Sequence, residues 1–252
     1  SKGMLAVLSD GMGGMERGEF YSSLAVNAML NAFRNAPADA EPLKGLLRMY
    51  GEVRTQALSL TQGSERPEDG GATLVAALIR DDRKVSVMVN EEDHLRIQAL
   101  VDGLDLETAA GEAFAAEERL AKEYPFSFDA QLGYLTSCPT NTGTGMRASL
   151  LLHLPMLTIL KQMGSVGQIV AKVGLTIRGV YGEGSEALGN LYLVSNQVTL
   201  GRTEQELISA VTAVGHQLTD MELALREKSL QNGRNALEDT IFRAWGIMKY
   251  AR

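Results

Sequence analysis

Cysteine occurs once in this chain, as Cys138. A single thiol excludes an internal disulfide framework and a multi-thiolate metal site, and it suits a reducing cytosol. Long hydrophobic runs are also missing. The longest candidate, Leu150–Leu160, contains His153 and Pro155 and falls short of the roughly 18 apolar residues that a membrane span requires. The opening apolar run, Met4–Leu8, passes straight into Ser9-Asp10 and lacks a signal-peptide layout. A basic excess is absent too: 24 Lys and Arg face 31 Asp and Glu, a net charge of −7. Direct nucleic-acid binding, which needs a basic footprint to release counterions, is not expected. Internal repeats and low-complexity tracts are not found. What remains is an ordinary globular composition, 45% hydrophobic and 22% charged over 252 residues, enough for one large domain or two small ones.

The patterning predicts a buried strand over Met4–Leu8 and helices over Glu19–Phe33 and Leu43–Leu60. Thr73–Ile79 and Val85–Val89 are β-rich runs separated by the charged stretch Arg80–Lys84, which predicts a hairpin. Glu107–Glu123 is rich in Ala and Glu and should be helical. Gly133–Gly145 reads as a loop, Ala148–Met163 as a helix with Pro155 near its start or at a kink, and Leu175–Val180 and Leu191–Val194 as strands. Thr203 with Glu206 has capping-box spacing at the start of a helix reaching Leu230. Its stripe of Leu207, Val211, Val214, Leu218, Met221 and Leu225 reads as core-facing, with a coiled-coil face as the alternative. Arg234–Arg252 reads as a last helix.

Three loops concentrate the unusual polar residues: Asn90–Arg96, Thr136–Arg147 and Arg178–Glu186. Each combines an arginine with glycines or carboxylates. Guanidinium forks match phosphate oxygens bidentately, and carboxylates beside them suit a cationic substrate or a metal ion. The pattern points to phosphoryl transfer onto a positively charged acceptor, with solvated surface ion pairs as the alternative.

The sequences Val87-Met88-Val89-Asn90-Glu91-Glu92-Asp93-His94-Leu95-Arg96-Ile97-Gln98 and Tyr181-Gly182-Glu183-Gly184-Ser185-Glu186-Ala187-Leu188-Gly189-Asn190 resemble the phosphagen kinase superfamily, and most nearly its bacterial protein-arginine kinase branch. The resemblance runs from about Val85 to Arg252. It implies that Glu92 and Glu183 bracket a guanidinium, with Glu92 also its base, and that Cys138 lies beside that guanidinium. It implies that Arg96, Arg147 and Arg178 clamp the phosphates of ATP, with Mg²⁺ bridging them. Leu151 aligns with a family histidine that stacks on adenine. His94 is read as structural, and His153 and His216 as packed or surface residues.

The segment before Val85 differs. Leu5-Ala6-Val7-Leu8-Ser9-Asp10-Gly11-Met12-Gly13-Gly14 and Gly71-Ala72-Thr73-Leu74-Val75-Ala76-Ala77-Leu78-Ile79 resemble a metal-binding turn and a later strand of the PP2C-type (PPM) protein phosphatases. That resemblance implies Mg²⁺ or Mn²⁺ on Asp10, although the further carboxylates of a two-metal centre are absent. The serine–arginine-rich motif with which phosphagen kinases add phosphate contacts is also absent before Val85. At about 1.5–3 kcal/mol per charge-assisted contact, two lost contacts imply a loss on the order of 10²–10⁴ in rate or affinity.

The resulting expectation is an α+β chain. Residues 85–252 form a mostly antiparallel, helix-flanked phosphagen kinase catalytic domain, and residues 1–84 form a phosphatase-like strand–helix–helix–strand fragment. By the same resemblance the kinase is cut short at both ends, and a C-terminal region that binds phosphoarginine would follow. The expected function is ATP-dependent phosphorylation of arginine side chains in cytoplasmic proteins. The alternatives are a PP2C-type metal-dependent Ser/Thr phosphatase fragment, or a non-catalytic module that binds nucleotide or arginine. Neither a membrane nor nucleic acid is an expected partner; a homodimer is allowed.

Overall fold

The structure is a computed structural model that describes residues 4–10, 18–37, 42–61, 72–79, 84–89, 92–122, 124–180 and 187–250. The chain forms two compact units, residues 1–145 and 146–252.

In the first unit the elements are β1 (Met4–Leu8), α1 (Gly18–Asn35), α2 (Pro42–Thr61), β2 (Leu74–Ile79), β3 (Lys84–Val89), β4 (Leu95–Leu100) and α3 (Leu106–Ala121). A short hairpin of β5 (Phe128–Asp129) and β6 (Gly133–Tyr134) follows. Strands β1 to β4 form one antiparallel sheet in chain order. The expected hairpin is present as β2–β3, with Ala76 opposite Val87; its turn, 80–83, lies outside the described residues.

Strand alternation sends Leu74, Ala76, Val87, Leu95 and Ile97 to one face, where the helices cover them. Over β1 and β2 the core is Ala25, Ala28, Met29 and Ala32 of α1 with Met49 and Val53 of α2. Over β3 and β4 it is Ala116 and Leu120 of α3 with Phe126. Small residues on α1 let the helix approach the sheet closely. Tyr50 of α2 packs against both clusters. The sheet and its core are therefore continuous across Lys84, the residue at which the two resemblances meet.

Tyr50→Ala should destabilise both halves of this sheet together, by about 2–4 kcal/mol as for a large-to-small core change. Hydrogen exchange checks this: amides of β1–β2 and of β3–β4 should lose protection in parallel, while Tyr50→Phe stays near wild type. Loss confined to β1–β2 would show two separable cores.

In the second unit the elements are β7 (Ser149–His153), α4 (Pro155–Ile159), α5 (Met163–Lys172), β8 (Leu175–Gly179), β9 (Leu191–Asn196) and α6 (Glu204–Tyr250). They form an antiparallel sheet of order β7-β9-β8, with α6 packed on β7 and β9 and α5 on β8. The buried face comprises Leu150, Leu152, Tyr192 and Val194, and α6 adds buried Leu207, Ile208, Val211, Val214 and Leu218. The stripe is thus core-facing for most of its length. The capping box forms as expected: the Glu206 N–H donates to Thr203 Oγ1 (3.2 Å) and the Thr203 N–H to Glu206 Oε2 (2.9 Å). That Thr203 N–H holds the Glu206 carboxyl below the usual carboxylate range. Gly233 is non-helical, φ −147°, and breaks α6 between the two helices expected there.

One expected element is wrong. Ala148–Met163 is not a helix but strand β7, then α4 from Pro155, then the start of α5. Leu150, Leu152 and Leu154 are buried while Leu151 and His153 are exposed, a period of two. The exposed member Leu151 is itself apolar, so the alternation is hidden in the letters. Pro155 disfavours α conformation at Leu154 and starts the helix instead of kinking one. Strand β4 was also not anticipated, although Leu95, Ile97 and Ala99 alternate with Arg96 and Gln98.

Candidate active site

In the first unit, Glu92 is exposed just before β4, and Arg96 lies on β4. Register places Arg96 level with Met88, Val75 and Leu8, on the sheet face opposite the helices. Cys138 lies in the loop after β6, part-buried, at the start of a short 3₁₀ turn over Pro139–Asn141.

This loop is closed in several ways. Tyr134 and Gly143 exchange backbone hydrogen bonds (2.8 and 3.2 Å). Gly133 makes that approach possible, because a Cβ there would collide with the Gly143 carbonyl, and its φ of +75° suits glycine. The Tyr134 hydroxyl donates to Glu117 Oε1 of α3 (2.8 Å). Within the loop, Thr136 Oγ1 donates to the Cys138 carbonyl (2.6 Å) and lies 3.1 Å from Thr142 Oγ1. Cys138 Sγ lies 3.0 Å from Thr140 Oγ1.

The loop is tied to the residues that follow Glu92. The Cys138 N–H donates to Asp93 Oδ1 (2.9 Å), and Asn141 Nδ2 donates to Asp93 Oδ2 (2.7 Å). Ser137 Oγ and His94 Nδ1 share a hydrogen bond (3.1 Å). Asp93, the chain neighbour of Glu92, thus ties the Cys138 loop to the residues just before β4. Sequence reasoning gave Asp93 no role.

In the second unit, Leu151, Leu193 and Arg178 lie level on adjacent strands, on the sheet face opposite α6. Leu151 is 56% exposed. Leu151 and the exposed Arg178 lie on the two outer strands, with Leu193 of the central strand β9 between them. Arg147 precedes β7 and shares strand parity with Leu151. Its backbone is clamped by buried Asn196 of β9, whose Oδ1 accepts the Ala148 N–H (2.8 Å) and whose Nδ2 donates to the Met146 carbonyl (3.0 Å) and the Val198 carbonyl (3.2 Å). Asn196 was missed as well; an asparagine ending a strand of Leu, Tyr and Val was the available signal. Glu183 lies outside the described residues.

Asp10 sits after β1, its backbone tied to Thr73 by the Thr73 N–H donating to the Asp10 carbonyl (2.9 Å) and the Asp10 N–H donating to Thr73 Oγ1 (3.2 Å). Gly11 is outside the described residues. Among the described residues no three His, Cys, Asp or Glu side chains come together as metal ligands. Asp10 with its described neighbours does not fit a metal centre. Among the described residues no helix is long and apolar enough to cross a membrane.

Comparison with known proteins gives the family. The sequence profile of the ATP:guanido phosphotransferase C-terminal catalytic domain matches residues 64–225. The chain belongs to that family. The profile of protein phosphatase 2C matches residues 1–90, overlapping the first match across β2 and β3. A protein-arginine kinase of Pelotomaculum thermopropionicum is 48% identical over 177 residues, 70% of this chain and 50% of that protein. One from Moorella thermoacetica is 50% identical over 177 residues, 70% of this chain and 51% of that protein. The chain thus spans about half the length of the curated relatives it matches. Among solved structures, the duplicated taurocyamine kinase of Schistosoma mansoni superposes with a TM-score of 0.52 at 24% identity, covering 91% of this chain and 34% of that one. This likeness concerns the fold.

Proposed function

We propose that this chain transfers the γ-phosphoryl group of ATP to a guanidinium nitrogen of arginine side chains in cytoplasmic proteins. One observation carries the reading: the catalytic-domain match takes in Glu92, Arg96, Cys138, Arg147, Arg178 and Glu183 together. The identity of close to one residue in two with protein-arginine kinases supports arginine in proteins as the acceptor. We also read residues 1–84 as phosphatase-like and 85–252 as kinase-like by descent, which the overlapping matches support.

ATP enters as its magnesium complex, whose ion spreads the phosphate charge. The guanidinium forks of Arg96, Arg147 and Arg178 hold phosphate oxygens. The level row of Leu151, Leu193 and Arg178 supports a base packed on Leu151 with its phosphates turned toward Arg178. Glu92 and Glu183 hold the acceptor guanidinium, and Cys138 lies beside it. As the N–P bond forms, the bond from the γ-phosphorus to the bridging oxygen breaks and ADP leaves. The proton of the attacking nitrogen passes to Glu92. Positioning and charge neutralisation supply most of the catalysis. Residues 1–84 carry no serine–arginine-rich motif, and two such contacts fewer would cost on the order of 10²–10⁴ in rate or affinity.

The test compares ADP release with arginine-rich and lysine-rich acceptors of equal charge. Release should rise only with arginine. Equal release with both, or none from a chain shown to be folded, overturns the reading.

A further inference from the structure

We infer that Asp93 is a positioning residue: its carboxylate latches the Cys138 loop to the Glu92 end of β4 and so fixes where the acceptor guanidinium sits. The inference rests on the function proposed above and assigns a role to a residue that function leaves unused. Both carboxylate oxygens are engaged, one by the Cys138 N–H at 2.9 Å and one by Asn141 Nδ2 at 2.7 Å. The two donors flank the 3₁₀ turn over Pro139–Asn141, so the latch grips the turn at both ends. The partners are 45 and 48 residues away in the chain, and among the described residues no ladder hydrogen bond joins β4 to this loop. The neighbouring His94–Ser137 bond is a weaker second tie between exposed groups.

The electrostatics favour a carboxylate here. Hydrogen bonds onto an ionised acceptor are shorter and about twice as strong as neutral ones. Asp93 is part-buried, which raises the cost of leaving either donor unpaired. Besides the His94–Ser137 bond, the loop has internal ties and bonds to β6, α3 and Ser127. Without Asp93 the loop keeps its internal ties but loses the two-point hold on the residue after Glu92, and the weaker His94–Ser137 bond is left. A shift of about 1 Å between groups that hold one substrate costs up to about 10²-fold.

The geometry offers a reciprocal test. Asp93→Ala removes the latch. Asn141→Asp places two carboxylates face to face and opens it. Asp93→Asn combined with Asn141→Asp restores it with the charge moved. The amide introduced at position 93 would accept from the Cys138 N–H through its oxygen and donate through its nitrogen to the carboxylate introduced at position 141. Two readouts are needed on the full chain: exchange of the Cys138 amide proton, and kcat and KM for ATP and an arginine-rich acceptor. In Asp93→Ala and Asn141→Asp, amide exchange should quicken about tenfold or more. The acceptor's KM should rise about tenfold or more, while the KM for ATP stays within about twofold. The double variant should return both readouts most of the way to wild type. Unchanged amide exchange in Asp93→Ala overturns the latch. Faster exchange with unchanged acceptor kinetics, or a folded double variant that restores neither readout, overturns the positioning role. A wild type with a protected Cys138 amide but no transfer overturns the proposed function and the positioning role with it, and leaves the latch as a structural tie.

Discussion

Glu92→Gln is expected to lower guanidinium phosphorylation by about 10²–10⁴-fold, the range a positioned general base contributes. Glutamine keeps the shape and one carbonyl oxygen but neither the negative charge that holds a guanidinium nor the basicity that accepts its proton. Glu92 is exposed, so the substitution buries nothing and leaves no donor unpaired; stability should stay within about 0.5 kcal/mol. The loss should fall mainly on kcat, because the proton moves only as the N–P bond forms. Steady-state kinetics beside a thermal unfolding curve separate the two effects. An unchanged kcat would remove Glu92 from the mechanism.

Glu222→Ala should cost the second unit about 2–6 kcal/mol, from two buried backbone donors left unpaired at about 1–3 kcal/mol each. Glu222 is 3% exposed on α6. Its carboxylate accepts from the Met156 N–H (3.0 and 3.1 Å to its two oxygens) and the Leu157 N–H (3.0 Å), the orphan donors in the first turn of α4. Arg226 Nε also donates to it, at 2.7 Å. Arg226 is itself about two-fifths exposed, so the freed cation finds water and adds little to the cost. Urea unfolding followed by exchange protection of the β7 and β9 amides measures the loss. Glu222→Gln, which keeps one acceptor oxygen, should cost less than half as much. Equal losses for both would show that charge, and not the backbone cap, is what α4 requires.

These residues also mark where the sequence was legible. Elements governed by nearest neighbours could be read from the letters: the capping box at Thr203, the stripe from Leu207 to Leu218, and the hairpin of β2 and β3. Strand β7 failed because its exposed side carries a leucine, which removes the contrast that alternation depends on. Strand β4 failed because Arg96 and Gln98 sit in a stretch whose polar residues invited a chemical reading. The site divides the same way. Glu92, Arg96, Cys138, Arg147 and Arg178 stand out by type and by motif. Asp93, Asn196 and Glu222 act through hydrogen bonds to backbone groups tens of residues away, and no local pattern announces such bonds. Side chains of this kind become visible only when the fold closes them onto their partners.

Continuity of the sheet across Lys84 has a functional side. β1 and β2 extend the sheet that carries Arg96, and Tyr50 packs against both halves of its core. The phosphatase-like segment thus supports the strand on which a proposed phosphate ligand sits, whatever the chemistry of its ancestors.

The most direct measurement is the chemical stability of the phosphate placed on an arginine-rich acceptor by the purified chain with labelled ATP and Mg²⁺. A phosphoryl group on a guanidinium nitrogen is lost in acid and kept in base. The account predicts acid-labile, base-stable label that is absent with Glu92→Gln. Acid-stable label on hydroxyl groups, or no label from folded protein, would contradict it.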